Sequence, residues 1–322
     1  MSTATTLLWR GGLLEPLPDA RRGADGVGAA DTGAAEPTLL VADSWLVDEG
    51  RVRALDVHRD RFAGSVDAAT AGMTGRPTPD DVDAFWTAVV ARLPRTGRWF
   101  PRVELVAAGD DATGGADTTG GADTTGGADA TGGADTTGGA DSTDGADSTR
   151  ASSVALRLRL RPAPPASATV VLATATHDPR ISPLVKGPDL MALGRVRDEA
   201  RSRGADEAVV LSGDGHVVDG AWSSIVWWRG DALCLPSDDL PRLPGVTVRT
   251  LATLAAVMGV DVLHEHARPD ELSGFEVWTT SALHGIRIAT GWVDGPSPAE
   301  QPGRLALWRS RLDALRRPLP SV

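Results

Sequence analysis

One lysine, Lys186, stands among the 32 basic residues of this 322-residue chain; the other 31 are arginines. A guanidinium stays protonated, so arginine replaces lysine where only charge or solubility is needed, but not where a neutral amine must attack a carbonyl. A chain this rich in arginine that keeps a single lysine marks that lysine for amine chemistry, against the alternative of chance survival. Lys186 lies in SPLVKGPDL, a Pro- and Gly-flanked loop between an expected strand and an expected helix, a setting that presents a side chain into a cleft. Two further patterns carry chemistry. VVDGAWSS (217–224) ends a strand with Asp219 beside Gly220, which reads either as a functional acid or as an ordinary turn residue. LPGVTVRTL (243–251) sets Gly245 before a helix with Thr247 in its first turn, which suits a phosphate at free helix N–H groups or a plain threonine cap.

The elements that must position these residues are mixed α and β, with several hairpins rather than a regular βαβ alternation. Residues 1–35 read as a loose N-terminal segment. An N-terminal domain follows over 36–162. Its text LLVADSWLVDEGRVRALDVHRDRF gives two strands joined at Asp48 to Gly50 and a helix beginning near His58. A second helix, 79–93, carries Val82, Phe85, Val89 and Leu93 at helical spacing, with Asp80 or Asp81 as its cap. Within this domain a six-residue GGADTT-type repeat (110–149) has almost no apolar residues to bury, which predicts a disordered insertion at a hairpin tip. A linker over 163–167 leads to a larger domain over 168–300, and a helix closes the chain over 301–322. Of Trp227 and Trp228, adjacent on a strand, one is expected in a core and one at the surface.

Composition narrows the function. The net charge of −11 argues against a nucleic-acid partner, since nothing would neutralise a phosphate backbone. A lone cysteine, Cys234, excludes an intramolecular disulfide and a cysteine metal cluster, and fits a reducing cytoplasm. The histidines lack metal-ligand spacing on a common helix. No apolar run approaches the ~18 residues of a membrane span, and the first residues do not have the pattern of a signal peptide.

The order of the motifs resembles the class IV aminotransferases, the fold type IV pyridoxal-phosphate (PLP) enzymes. That family includes branched-chain and D-amino-acid aminotransferases and 4-amino-4-deoxychorismate lyase. The resemblance covers about 38–295 apart from the repeat. The family's H-x-x-R-[LF] element resembles His58 to Phe62, its Schiff-base lysine Lys186, and its E-G-x-x-x-N element Asp219 to Ser224. Its L-P-G-[IV]-T element matches Leu243 to Thr247, and its T-N-[SA]-L strand end resembles Thr279 to Ala282. Four positions depart from the pattern. Asp219 replaces glutamate, Ser224 replaces asparagine, Asp189 stands where an asparagine commonly follows the lysine, and the arginine expected after the L-P-G-V-T run is displaced to Arg249. The chain has no tyrosine, which argues against branched-chain specificity.

The resemblance implies two domains with PLP in the cleft between them, and a homodimer acting on small amino and keto acids. Lys186 would carry the cofactor and move the α-proton. Asp219 would pair with the pyridine nitrogen. Arg61 and the N–H groups of Val246 and Thr247 would hold the phosphate. Thr280 and Ser281 would add donors to the phosphate or the substrate carboxylate, and Ser44, Trp45 and Ser224 would line the substrate pocket. Amino-group transfer is the first expectation. Elimination of pyruvate by a 4-amino-4-deoxychorismate lyase and a catalytically degraded PLP-binding or scaffold protein are the alternatives.

Overall fold

The computed structural model describes residues 4–17, 37–107 and 154–321. Strands β1 (Thr5–Arg10) and β2 (Leu13–Pro16) are followed by β3 (Leu39–Ser44), the short β4 (Val47–Asp48) and β5 (Arg51–Val52), and helices α1 (Leu55–Ala69) and α2 (Pro79–Arg92). Then come β6 (Arg98–Trp99), β7 (Arg102–Ala107), β8 (Val154–Leu160), β9 (Thr169–Thr174), α3 (Leu190–Ser202), β10 (Glu207–Leu211), β11 (Val217–Gly220), β12 (Ser224–Arg229) and β13 (Ala232–Pro236). The chain continues through α4 (Val246–Val257), β14 (Val262–Glu265), β15 (Glu276–Ser281), β16 (Gly285–Val293), α5 (Arg304–Ala314) and β17 (Arg317–Pro318). The repeat at 110–149 lies outside the described residues.

An antiparallel five-stranded sheet runs β2-β1-β8-β7-β3. Its inward residues, among them Val41, Val103, Leu105 and Leu158, pack on Phe62 and Val66 of α1 and Phe85 and Val89 of α2. Part of the segment expected to be loose belongs to this sheet. Residues 5–16 form a hairpin through Gly11 and Gly12, both at positive φ, and bury Leu7 and Leu14 in the core. The Gly-Gly pair between two short apolar runs was the available signal. Helix α2 is capped by Thr78, not by Asp80 or Asp81. The Thr78 hydroxyl accepts from the Asp81 N–H at 3.1 Å, while the Asp81 carboxylate accepts from the Thr78 N–H at 2.9 Å.

A mixed eight-stranded sheet runs β11-β10-β9-β16-β15-β12-β13-β14. Both faces are covered. Trp227 packs in one core with Leu172, Ile225 and Val277, and Trp228 in another with Trp278, Leu251 of α4 and Trp308 of α5. Both tryptophans are therefore buried, which corrects the expectation of one at the surface; a sheet covered on two sides has no solvent face for alternation to reveal. After α5 the chain returns to the N-terminal half, where β17 pairs with β5 in a small sheet ordered β17-β5-β4-β6.

Candidate active site

Lys186 is fixed by its backbone before its side chain is considered. Its carbonyl accepts from the Ala42 N–H of β3 at 2.7 Å. The next residue, Gly187, has φ 146°, and a Cβ there would lie 2.8 Å from the Val41 Cα, so only glycine lets the loop press against β3. On the other side the buried Asp189 carboxylate accepts from the N–H groups of Ile181 and Ser182, at 3.1 and 2.9 Å. The departure at Asp189 thus clasps the loop that carries the lysine. Burial pushes the Lys186 ammonium down to about 8; Arg61 and Arg102 act in the same direction, Asp43 and Asp219 against it.

Asp219 is aimed by an irregularity. In the β10–β11 pairing, Val217 stands opposite Leu211 and Asp219 opposite Val210, so Val218 is an extra residue. In a strand paired regularly through Val218, Val217 and Asp219 would share a face. With the extra residue, Val217 enters the core around Trp227, and Asp219 turns to the opposite face. The carboxyl is 7% exposed, its Oδ1 has no hydrogen-bond partner among the described residues, and burial pushes it up to about 7 against the opposing pull of Arg180 and the Ser224 hydroxyl. The turn after it is held from below. Gly220 donates to the Ser223 carbonyl at 2.7 Å, and buried Glu207 accepts from the Trp222 N–H and the Ser223 hydroxyl at 3.2 and 3.1 Å.

Ser224 sits between three of the expected elements. It is the cross-strand neighbour of Thr280, its hydroxyl favours the ionised form of Asp219, and a Cβ on Gly245 would lie 2.8 Å from that hydroxyl. Gly245 precedes α4, whose first turn holds Val246 and Thr247 with no side-chain cap and no acidic residue. Its leading N–H groups lack intrahelical acceptors. The cap reading of Thr247 is therefore overturned: Thr247 lies inside the helix. Thr280 is buried and its Oγ1 has no partner among the described residues, whereas the Ser281 hydroxyl accepts from the His284 N–H at 3.2 Å.

The second carboxylate near the lysine escaped the sequence. Asp43, fully buried on β3, accepts from the Arg61 Nε and Nη2 at 2.8 Å each, from His58 Nδ1 at 2.8 Å and from the Ser44 N–H at 2.7 Å. Burial opposes its ionisation, but His58 and Arg61 override this and hold the carboxyl well below the usual range. Burial also lowers His58 in spite of Asp43, so the imidazole is neutral and donates through Nδ1. The third arm of Arg61, Nη1, reaches the Pro244 carbonyl at 3.2 Å, beside the start of α4. Trp45 is 1% exposed and packs on Trp86 and His58, with ring centroids 4.9 and 5.7 Å apart, and so belongs mainly to the core. Arg249 is on α4, in the turn after the one that starts the helix.

The donor set fits PLP. A buried carboxylate oxygen without a partner among the described residues suits a pyridinium, an uncapped helix start and a threonine hydroxyl likewise unpartnered suit a phosphate, and the lone lysine lies in charge range of both carboxylates.

Comparison with known proteins agrees with the fold. A family model, amino-transferase class IV, matches residues 129–292. Among solved structures, the chain resembles an aminotransferase from Brucella abortus bound to PLP, at 18% identity and a TM-score of 0.65 over 97% of each chain. It also resembles a PLP-bound hypothetical aminotransferase from Mycobacterium tuberculosis, at 18% identity and a TM-score of 0.66 over 97% of this chain and 98% of the other. A fold IV transaminase from Curtobacterium pusillum is 19% identical with a TM-score of 0.63, over 97% and 96%. No curated protein matches.

Proposed function

This chain belongs to the class IV aminotransferase family, and from that premise we propose that it moves an amino group between an amino acid and a 2-keto acid with PLP attached at Lys186. When bound, PLP supplies an electron sink for the charge left on the substrate α-carbon. The observation that carries the reading is the convergence of the only lysine with the unpartnered Asp219 oxygen and the uncapped start of α4. Lys186 is the attachment point and, once freed, the base at the α-proton; an amine held near 8 is partly neutral at pH 7 and exchanges protons readily. Asp219 keeps a proton on the ring nitrogen. Val246 and Thr247 offer backbone donors to the phosphate, Thr280 a hydroxyl, and Ser281 extends the same strand end. Arg61 approaches this cup with a charge already matched by Asp43. Ser44, Trp45 and Ser224 border the substrate side.

The same reading divides the chain into an N-terminal domain (36–162) and a larger PLP domain (168–300), in a cytoplasmic homodimer. Support comes from the family and from the three sheets.

The test is the visible spectrum with PLP before and after borohydride, followed by peptide mapping. A yellow protein that traps a pyridoxyl group on the Lys186 peptide is expected; no absorbance and no adduct would end the reading. A transaminase then stalls in the absence of a keto acid, whereas continued pyruvate release from 4-amino-4-deoxychorismate would assign the lyase instead.

A further inference from the structure

A cleft beside the start of α4 is lined by Trp45, Arg53, His58, Val246, Thr247 and Ala282. Two arginines at or near it have their charge matched. Arg61 is forked onto Asp43. Arg316, which also borders the cleft, donates to Asp48 through Nη1 and to Asp313 through Nη2. His58 brings no charge, since burial keeps it neutral.

Arg53 differs. It is 9% exposed, and its Nε and Nη1 are buried with no hydrogen-bond partner among the described residues. The nearest carboxylate is Asp313, 3.6 Å from Nη2, half-exposed and already bound by Arg316. A buried guanidinium with so little counter-charge is costly. Facing the same cleft is a 12-residue helix with no cap and no acidic residue in its first turn. A buried cation with two unpartnered nitrogens and one long ion pair, and an open helix N-terminus, are two independent features that call for one anion between them.

We infer that Arg53 is the guanidinium that binds the phosphate of the cofactor in this cleft, opposite the first-turn N–H groups of α4, supplying the positive charge that Asp43 neutralises on Arg61. The inference rests on the PLP reading above. It separates phosphate recognition from attachment at Lys186, because pyridoxal without its phosphate has no use for Arg53.

The experiment titrates wild type, Arg53→Gln and Arg53→Lys with PLP and with pyridoxal, read by absorbance and by the borohydride-trapped Lys186 peptide. The expected result for Arg53→Gln is a loss of about 30-fold in PLP affinity, pyridoxal affinity within about twofold of wild type, and an apo melting temperature no lower than wild type. Arg53→Lys keeps the charge and recovers part of the loss. PLP affinity unchanged in Arg53→Gln, or PLP and pyridoxal weakened alike, overturns the inference. If wild type traps neither aldehyde at Lys186, the cofactor reading is what fails, and inorganic phosphate decides Arg53 separately. Thermal stabilisation of wild type but not of Arg53→Gln by phosphate supports the inference; equal stabilisation, or none, overturns it.

Discussion

Two buried carboxylates flank the lysine, and their surroundings are opposite. Asp43, on the five-stranded sheet, is bonded by a guanidinium, an imidazole and a backbone N–H, and is held ionised. Asp219, on the eight-stranded sheet, has an oxygen with no partner and is raised to about 7. Full satisfaction marks a group that holds other groups in place. A buried oxygen left open marks a place for something the protein does not itself provide. Asp43 therefore orients His58 and Arg61, and Asp219 waits for a cation.

Asp219→Asn separates the two most widely. It should slow single-turnover amino transfer by about 10³-fold, roughly 4 kcal/mol, with no loss of apo stability in a denaturant titration. A rate within tenfold of wild type would place Asp219 outside the chemistry. Asp43→Asn should do the reverse, costing about 3 kcal/mol of stability by leaving Arg61 buried without its partner; unchanged unfolding would break the contrast.

The pH dependence sharpens it. A carboxyl raised from 3.8 to about 7 penalises the folded state increasingly as pH rises through that window. Asp219→Asn should thus be more stable than wild type at pH 8, with the gap closing as pH falls from 7 towards 4. The stabilising contribution of Asp43 has the other sign: it is present above the ordinary carboxylate range and is lost as pH falls through its lowered folded value. A gap that stays constant over pH 4 to 8 would contradict the assignment. Next in size, Gly187→Ala should cost about 2 kcal/mol, because its Cβ meets β3 backbone at an unfavourable φ. Thr280→Val is the smallest: apo stability within about 0.5 kcal/mol and PLP affinity lowered about threefold.

The sequence was most legible where one residue carries its own signal. Lys186 stands out by composition, Leu243 to Thr247 by a local pattern, and the β12–β13 hairpin by Gly230 at its turn. It was opaque where a role comes from a distant partner. Arg61 resembles a free phosphate ligand until Asp43, 18 residues away, is brought onto it. Asp43 itself left a trace, a carboxylate inside the apolar run LLVADSW, where a buried acid demands donors. Arg53 left none, because its lack of partners appears only in three dimensions. The capping box is visible in the sequence as Thr78 followed by Asp81 three residues on, although two adjacent aspartates, Asp80 and Asp81, compete for the cap on sequence grounds.

The extra residue at Val218 makes the position of Asp219 a matter of parity. Side chains along a strand alternate like odd and even numbers, and one inserted residue exchanges the two sets. Pairing Val218 regularly with Val210, in place of the bulge, would leave every side chain chemically unchanged, yet set Asp219 opposite Val209 on the face of the Trp227 core and put an apolar side chain where the carboxylate now stands. The site thus depends on the register of its strand as much as on the composition.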